Sequence, residues 1–238
     1  MPLVVPQLRH TALIRELGEL ALRLQDTDTE LEVTRLARVP EPEEPQRGPS
    51  TSPWPEVPDL VAEDLATFAL DVAQERGASG VLNAVADAAD GFVPGADQAV
   101  VTLLLGDEVE LSAATGSASG SCEAWQLAVG DGPAATATAV PGTVVVVDDL
   151  ATDPRWVDLH AVVARDGLPS VMSVAAALPT SSRTLLISWY GKRADAFSAP
   201  DCARVALLTT AHACVALDRA LREDELQAEI LRIDDQLG

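Results

Sequence analysis

The most constraining feature of the sequence is a run of four valines, residues 144–147, that ends in two aspartates at residues 148–149. β-Branched side chains fit the pleated surface of a sheet and lose rotamer freedom in a helix, so the run predicts a buried strand. Thr152 or Asp153 can then cap a helix, with Pro154 in its first turn, where a missing N–H does no harm. The central part of the chain is therefore expected to be built around this strand and the helix that follows it.

Apolar periodicity on both sides of the valine run separates strand-like from helix-like segments. Strands are expected at residues 99–105, 108–115, 143–147, 170–178 and 184–190. Helices are expected at residues 59–72, 79–92, 122–128, 134–140 and 154–165, and a long helix is expected after residue 198. Gly77 and Gly80 are expected to separate the first helix from the second. Because hairpin-like strand pairs do not alternate with helices, this order predicts an α+β fold with a mostly antiparallel sheet.

Composition divides the chain into four segments. Residues 1–38 are expected to form a helical segment, and residues 39–58, which are rich in proline and glutamate, an extended acidic linker. Residues 59–221 are expected to form the folded domain, and residues 222–238 a helical extension.

Both terminal segments carry leucines or isoleucines at alternating spacings of four and three. These residues are Leu13, Leu17, Leu20 and Leu24 in the first segment, and Leu226, Ile230, Ile233 and Leu237 in the last. Such a stripe fits either a helix packed on its own domain or a coiled-coil seam between two chains. The presence of a seam at both ends favours a homodimer.

The charge balance argues against several classes of partner. The chain has 16 basic and 37 acidic residues, so its surface is expected to repel nucleic-acid phosphate and anionic lipid. Three cysteines without paired spacing favour a reducing compartment. No apolar run approaches the roughly 18 residues that span a bilayer, and residues 1–8 do not resemble a signal peptide. We expect a cytoplasmic protein that binds neither nucleic acid nor membrane.

Six short motifs occur in a characteristic order within the folded segment. They lie at residues 94–97, 130–133, 146–156, 167–173, 196–198 and 211–213. On these motifs residues 59–221 resemble a GAF domain, of the bacterial type often coupled to an ANTAR RNA-binding module. The resemblance implies a six-stranded antiparallel sheet with helices on one face and loops on the other, where a small molecule can be enclosed. It also implies that the helices entering and leaving the domain form a dimer bundle.

The ligand site implied by this resemblance lies between the sheet and the loops. The residues expected to contact a ligand there are Trp125, Asp131, Trp156, Met172 and Ser173. The sequence does not identify the ligand or any cofactor. Two features depart from the family: Ala134 and Ala135 stand where many relatives have a cysteine, and the acidic segment 222–238 does not suit an RNA-binding surface, so no ANTAR module is expected.

No pattern in the sequence indicates catalytic or metal chemistry. The three histidines are far apart, and none has a second ligand at metal-binding spacing. Asp148 and Asp149 leave a strand in opposite directions, which favours turn and capping roles over a proton-sharing pair. We therefore expect no catalytic residue, no metal site and buried, inert thiols.

Three functions remain open. The first is a non-catalytic sensory domain that couples small-molecule binding to helix packing in a dimer. The second is a ligand-free scaffold for dimerisation or protein interaction. The third is an enzyme of the methionine-sulfoxide-reducing GAF type, for which Cys122 is the only thiol near the relevant loop.

Overall fold

The computed structural model describes residues 59–199 and 201–237, and the predictions for residues 1–58 lie outside this range. The helices are α1 (Asp59–Gln74), α2 (Gly77–Phe92), α3 (Ser117–Val129), α4 (Pro133–Ala139), α5 (His160–Asp166) and α6 (Cys202–Leu237). The strands are β1 (Gln98–Leu105), β2 (Glu108–Ala114), β3 (Val144–Val147), β4 (Ser170–Ala177) and β5 (Arg183–Gly191). The α+β prediction is confirmed.

The described residues form one five-stranded sheet in the order β2-β1-β5-β4-β3, and every neighbouring pair is antiparallel. The six strands implied by the GAF resemblance are therefore not present among these residues. The five strands correspond to the five β-type segments in the sequence, and no sixth such segment occurs between Asp59 and Leu237. Strands β2 and β3 are the two edges.

The sheet separates two apolar layers because successive strand residues point to opposite faces. On one face, Val101, Met172 and Trp189 lie under helices α2 and α6, and α1 packs on these two helices. The Trp189 indole donates a hydrogen bond to the carbonyl of Ala89 at 2.8 Å. We call this the helix side. The opposite face, which we call the loop side, is covered by α3, α4 and α5 and includes Tyr190.

Three predicted helix boundaries were wrong. Gly80 lies inside α2, since the first two helices are separated instead at Glu75 and Arg76. Helix α3 begins at Ser117 and not near Cys122. The Gln98 side chain accepts a hydrogen bond from the Ser119 N–H at 3.1 Å and so satisfies an amide of the first turn.

The segment after the valine strand also begins its helix later than predicted. The Asp153 carboxylate accepts hydrogen bonds from the Arg155 N–H at 2.9 Å and from its guanidinium at 2.6 Å. These bonds form a turn, and the helix starts with a 3-10 turn at Val157–Leu159 before α5. Asp149 accepts a hydrogen bond from the Ala151 N–H at 3.0 Å, which agrees with the predicted turn role.

Helix α6 is continuous over 36 residues and extends beyond the domain. Its first half packs on the helix side through Val205, Ala213 and Leu217. Every side chain described from Glu223 to Gln236 is exposed. At 1.5 Å per residue, this part projects by about 20 Å. Among the described residues, no helix is both long and apolar enough to cross a membrane.

Candidate functional site

Polar side chains are buried at the centre of the loop side, where an apolar core would be expected. Thr102, Ser173 and Ser188 project from three strands, and each is at most 1% exposed. Glu123 and Gln126 reach them from α3 and are also at most 1% exposed. Glu123 and Gln126 share one helix face because they are three residues apart. Together with Tyr190, these side chains form what we call the buried polar cluster.

Glu123 is the charged member of this cluster. Its Oε1 accepts a hydrogen bond from the Thr102 hydroxyl at 2.6 Å, and the Thr102 hydroxyl is 3.1 Å from that of Ser112. Its Oε2 is buried and has no hydrogen-bond partner among the described residues. The hydroxyl of Ser188 lies close enough to lower the pKa of Glu123, but its well-formed hydrogen bond joins it to Ser173 at 2.9 Å. Burial outweighs both hydroxyls and raises the pKa of Glu123 to about 7.

Gln126 connects the cluster to the loop that follows α3. Its side-chain amide donates to the Tyr190 hydroxyl at 3.1 Å, and its Oε1 accepts from the Ala134 N–H at 2.9 Å. The second bond satisfies an N-terminal amide of α4, whose own capping position offers no side chain. That position is Gly132, where φ is +116° and a Cβ would lie 2.6 Å from Gln126 Oε1. Only glycine allows this approach.

An open cleft lies on the other side of α3. It has a volume of about 450 Å³ and runs between α3 and α5. It is lined by Ser117, Ala118, Ser121, Trp125, Val162, Arg165 and Asp166. Arg165 and Asp166 are paired at its rim, with 2.6 Å between Nε and Oδ1. One helix therefore separates the cleft from the buried polar cluster.

The five predicted ligand-contact residues are not brought together at one site. Trp125 lines the cleft, and Ser173 belongs to the buried polar cluster. The prediction that Met172 lies on the loop side is wrong. Met172 is fully buried on the helix side, because adjacent residues of β4 alternate between the two faces. It cannot share a loop-side site with Ser173 in this arrangement.

The other two predicted contacts have structural partners. Trp156 is 6% exposed within the loop-side core, and the Arg155 guanidinium carbon lies 4.2 Å from its ring centroid. Such stacking is a cation–π contact. Asp131 accepts a hydrogen bond from the Gly132 N–H at 2.9 Å in the turn before α4. Ligand binding by Trp125, Asp131, Trp156 or Ser173 stays a prediction.

Sequence reasoning missed Glu123 and Gln126. Both lie in the helix predicted at residues 122–128, where polar side chains ordinarily face solvent. A signal was present in their spacing. Cys122 and Gln126 are four residues apart and Glu123 and Gln126 are three apart, which places all three on one face of a helix.

The thiols have the properties of packed core groups. Cys122, Cys202 and Cys214 are all buried and free. Burial raises the pKa of Cys122 to about 11 and that of Cys214 to about 12, so both are protonated at neutral pH. Across residues 59–199 and 201–237, no three His, Cys, Asp or Glu side chains are grouped so that they could hold a metal ion.

Comparison with known proteins shows the fold and not the family. The sequence matches no protein-family model and no curated protein. The structure is similar to the N-acylhomoserine lactone dependent LuxR-family transcription factor CepR2 from Burkholderia cenocepacia, with a TM-score of 0.55 and 14% identity. The match covers 68% of this chain and 98% of that one. At this identity the likeness shows a shared α+β architecture alone.

Two further solved structures match with TM-scores below 0.5. Free methionine-R-sulfoxide reductase from Neisseria meningitidis matches with a TM-score of 0.48 and 18% identity, over 69% of this chain and 95% of that one. The GAF domain region of a Geobacter sulfurreducens protein matches with a TM-score of 0.41 and 11% identity, over 66% and 99% of the two chains.

Proposed function

We propose that this protein is a non-catalytic, GAF-type sensory domain. In this proposal a small molecule binds on the loop side, and its binding changes how the terminal helices pack in a homodimer. The observation that carries the proposal is that one hairpin, formed by β4 and β5, contacts both regions. A ligand can shift packing only if it binds one arrangement more tightly than the other, so a physical connection of this kind is required.

One end of this hairpin belongs to the buried polar cluster. Ser173 on β4 and Ser188 on β5 are directly paired in the sheet. Their hydroxyl groups are 2.9 Å apart, and Tyr190 follows two residues later on the same face. A ligand that reaches the buried polar cluster would therefore contact both strands.

The other end of the hairpin is attached to α6. Asp218, which is 4% exposed, accepts hydrogen bonds from the Thr180 N–H at 3.1 Å and from the Thr180 hydroxyl at 2.7 Å. Arg183 pairs with Glu225 of α6 at 3.1 Å and with Glu110 of β2 at 2.6 Å. Between Ser188 and Arg183 the strand spans about 17 Å, and it connects the buried polar cluster to α6.

The projecting end of α6 supplies a surface for dimer contacts. Leu226, Ile230 and Ile233 are 61%, 53% and 49% exposed and lie at coiled-coil spacing. We call these three residues the α6 seam. Large apolar side chains exposed in a row are typical of a contact surface, and the seam supports the homodimer in this proposal.

The raised thiol pKa values support the non-catalytic part of the proposal. A methionine-sulfoxide-reducing mechanism needs a reactive thiolate, and the pKa of Cys122, the thiol nearest the cleft, is raised to about 11.

The proposal is tested with the full chain in two steps. A thermal-shift screen of small metabolites is followed by light scattering, with and without each compound that raises the melting temperature. We expect at least one compound to raise the melting temperature and to change the monomer–dimer ratio. A monomer at all concentrations would overturn the dimer, and stabilising compounds that leave the ratio unchanged would overturn the coupling.

A ligand-free scaffold is the second candidate, and one observation favours it. Large side chains fill the loop side, including Leu150, Leu159 and Tyr190, each fully buried. If no compound stabilises the protein and the α6 seam still forms a dimer, the scaffold function replaces the sensory one.

A further inference from the structure

The unpartnered Oε2 atom of Glu123 is the most unusual feature of the loop side. Buried polar atoms nearly always have a hydrogen-bond partner, and an exception in a folded protein calls for an explanation. The atom is in a side chain that is 1% exposed, in the middle of a sheet face, and not at a frayed end. It lies where the proposed function places a ligand.

Among residues 59–199 and 201–237, the surroundings of Glu123 contain polar groups but no positive charge to balance it. Thr102 and Ser188 contribute neutral hydroxyls. The titratable groups that face it are Tyr190 on β5 and Cys122 on its own helix, and burial raises the pKa of both, so both are neutral at pH 7. No Arg, Lys or His forms an ion pair with Glu123 among the described residues. Buried carboxylates are normally paired with a cation.

Helix α3 lies between the open cleft and this carboxylate. Ser121 and Trp125 line the open cleft from one side of the helix, while Glu123 lies on the other. The first turns of α3 consist of serine, alanine and glycine. Serine and glycine have a lower helix propensity than alanine. Displacement of these turns would connect the cleft to the buried polar cluster.

We propose that Glu123 is the recognition group of the loop-side site and that the site takes a small organic cation bearing N–H donors, of the guanidinium or alkylammonium class. The cation would donate to Oε2, which has no hydrogen-bond partner in the part of the chain that the structure describes. The hydroxyl oxygens of Ser173, Ser188 and Tyr190 would accept its remaining hydrogen bonds. This inference rests on the proposed sensory function and adds the chemical class of its ligand.

Binding of such a cation is expected to depend on pH. Only the ionised carboxylate attracts the cation, and the pKa of Glu123 without ligand is about 7. Affinity should therefore be constant well above pH 7 and fall about tenfold for each pH unit below it. A cation bound only at exposed carboxylates would show no such loss until much lower pH.

The test compares methylguanidinium with its neutral isostere N-methylurea, both titrated into the full chain by calorimetry and NMR. Glu123→Gln keeps the shape of the side chain and removes its charge, and Glu108→Gln is the matched control because Glu108 is exposed on β2. We expect methylguanidinium to bind at least tenfold more tightly than N-methylurea. This preference should disappear in Glu123→Gln and remain in Glu108→Gln.

The pH profile of the unmodified chain gives a second readout that does not depend on the folding of a variant. Equal affinity for the two probes, or a preference that persists in Glu123→Gln, would overturn the assignment of Glu123. If neutral or anionic compounds stabilise the protein and the cation does not, the ligand class is wrong while the sensory function stands. If no compound of any class binds, both proposals fail.

Discussion

The carboxylate of Asp224 on α6 caps helix α2, because its Oδ2 accepts a hydrogen bond from the Ala78 N–H at 2.9 Å. The local capping position, Arg76, offers no side-chain hydrogen bond, so this cap comes from 146 residues away. Gly77 begins α2 with φ of +71°, and a Cβ there would lie 3.4 Å from Asp224. The contact fixes α6 to the domain at the point where its exposed part begins.

Replacing Asp224 by alanine is expected to lower the free energy of unfolding by about 1 kcal/mol, the usual cost of a lost N-terminal cap. Urea denaturation of the full chain measures this change in the free energy of unfolding. Asp234→Ala is the control, since Asp234 is exposed on the projecting part of α6, and its effect should stay within about 0.5 kcal/mol. Equal effects of the two substitutions would contradict the capping role.

Replacing Gln126 by leucine is expected to cost about 3 kcal/mol of stability. The substitution leaves the Ala134 N–H and the Tyr190 hydroxyl buried without their partner, and each loss has the full desolvation penalty. Gln74→Leu, at an exposed position of α1, should change the free energy of unfolding by less than about 0.5 kcal/mol. A cost for Gln126→Leu no larger than for this control would show that the buried polar cluster is not formed as described.

The free energy of unfolding is expected to depend on pH because Glu123 titrates. The pKa of this carboxyl is about 7 in the folded chain against an ordinary value of 4.5. The folded state therefore keeps its proton to higher pH than the unfolded chain, and stability falls as pH rises from 4.5 through 7. The loss is about 3 kcal/mol and is complete above pH 7.

Glu123→Gln does not titrate, so the difference in unfolding free energy between this variant and the wild type isolates the Glu123 contribution. We expect the wild type to lose about 3 kcal/mol relative to Glu123→Gln over this pH range. Glu108→Gln should follow the wild type at all pH values. A constant difference between wild type and Glu123→Gln would mean that Glu123 titrates in the folded protein as it does in the unfolded chain.

Replacing Ile230 by aspartate is expected to abolish the dimer without changing the stability of the monomer, because the α6 seam is exposed within one chain. Ala228→Asp adds the same charge to another exposed position of the helix and should leave the dimer intact. Sedimentation equilibrium distinguishes these results. Glu229 and Asp234 flank the seam with like charge, so association should strengthen as salt rises. If Ala228→Asp weakens the dimer as much as Ile230→Asp, charge and not the seam controls association.

The five strands could be predicted from the sequence because each combines β-type residues with a bounding turn. Gly106, with φ of +61°, lies in the turn between β1 and β2, as predicted. The expectation of a sixth strand came from the family resemblance and not from any segment of this sequence. Helix boundaries failed where side-chain hydrogen bonds set them, as the distant Gln98 does for α3 and the neighbouring Asp153 does for the turn before α5.

The candidate site was less predictable than the fold. A glutamate in a short helix gives no sign of burial, since its environment depends on where the helix packs. The placement of Met172 beside Ser173 could have been excluded from the sequence, because neighbours in a strand face opposite sides. Trp125 lies in α3 and lines the cleft, and its contact with a ligand stays a prediction.

We propose that the loop-side site and the packing of α6 are coupled through the β4–β5 hairpin. The most direct test measures the dimer dissociation constant with and without a saturating compound from the thermal-shift screen. The measurement is made in wild type, in Asp218→Asn, which weakens the contact with Thr180, and in the exposed control Asp235→Asn. We predict a change of about 5-fold or more in wild type and in the control, and a much smaller change in Asp218→Asn, although all three bind the compound. An identical change in all three proteins, or no change in wild type, would contradict the account.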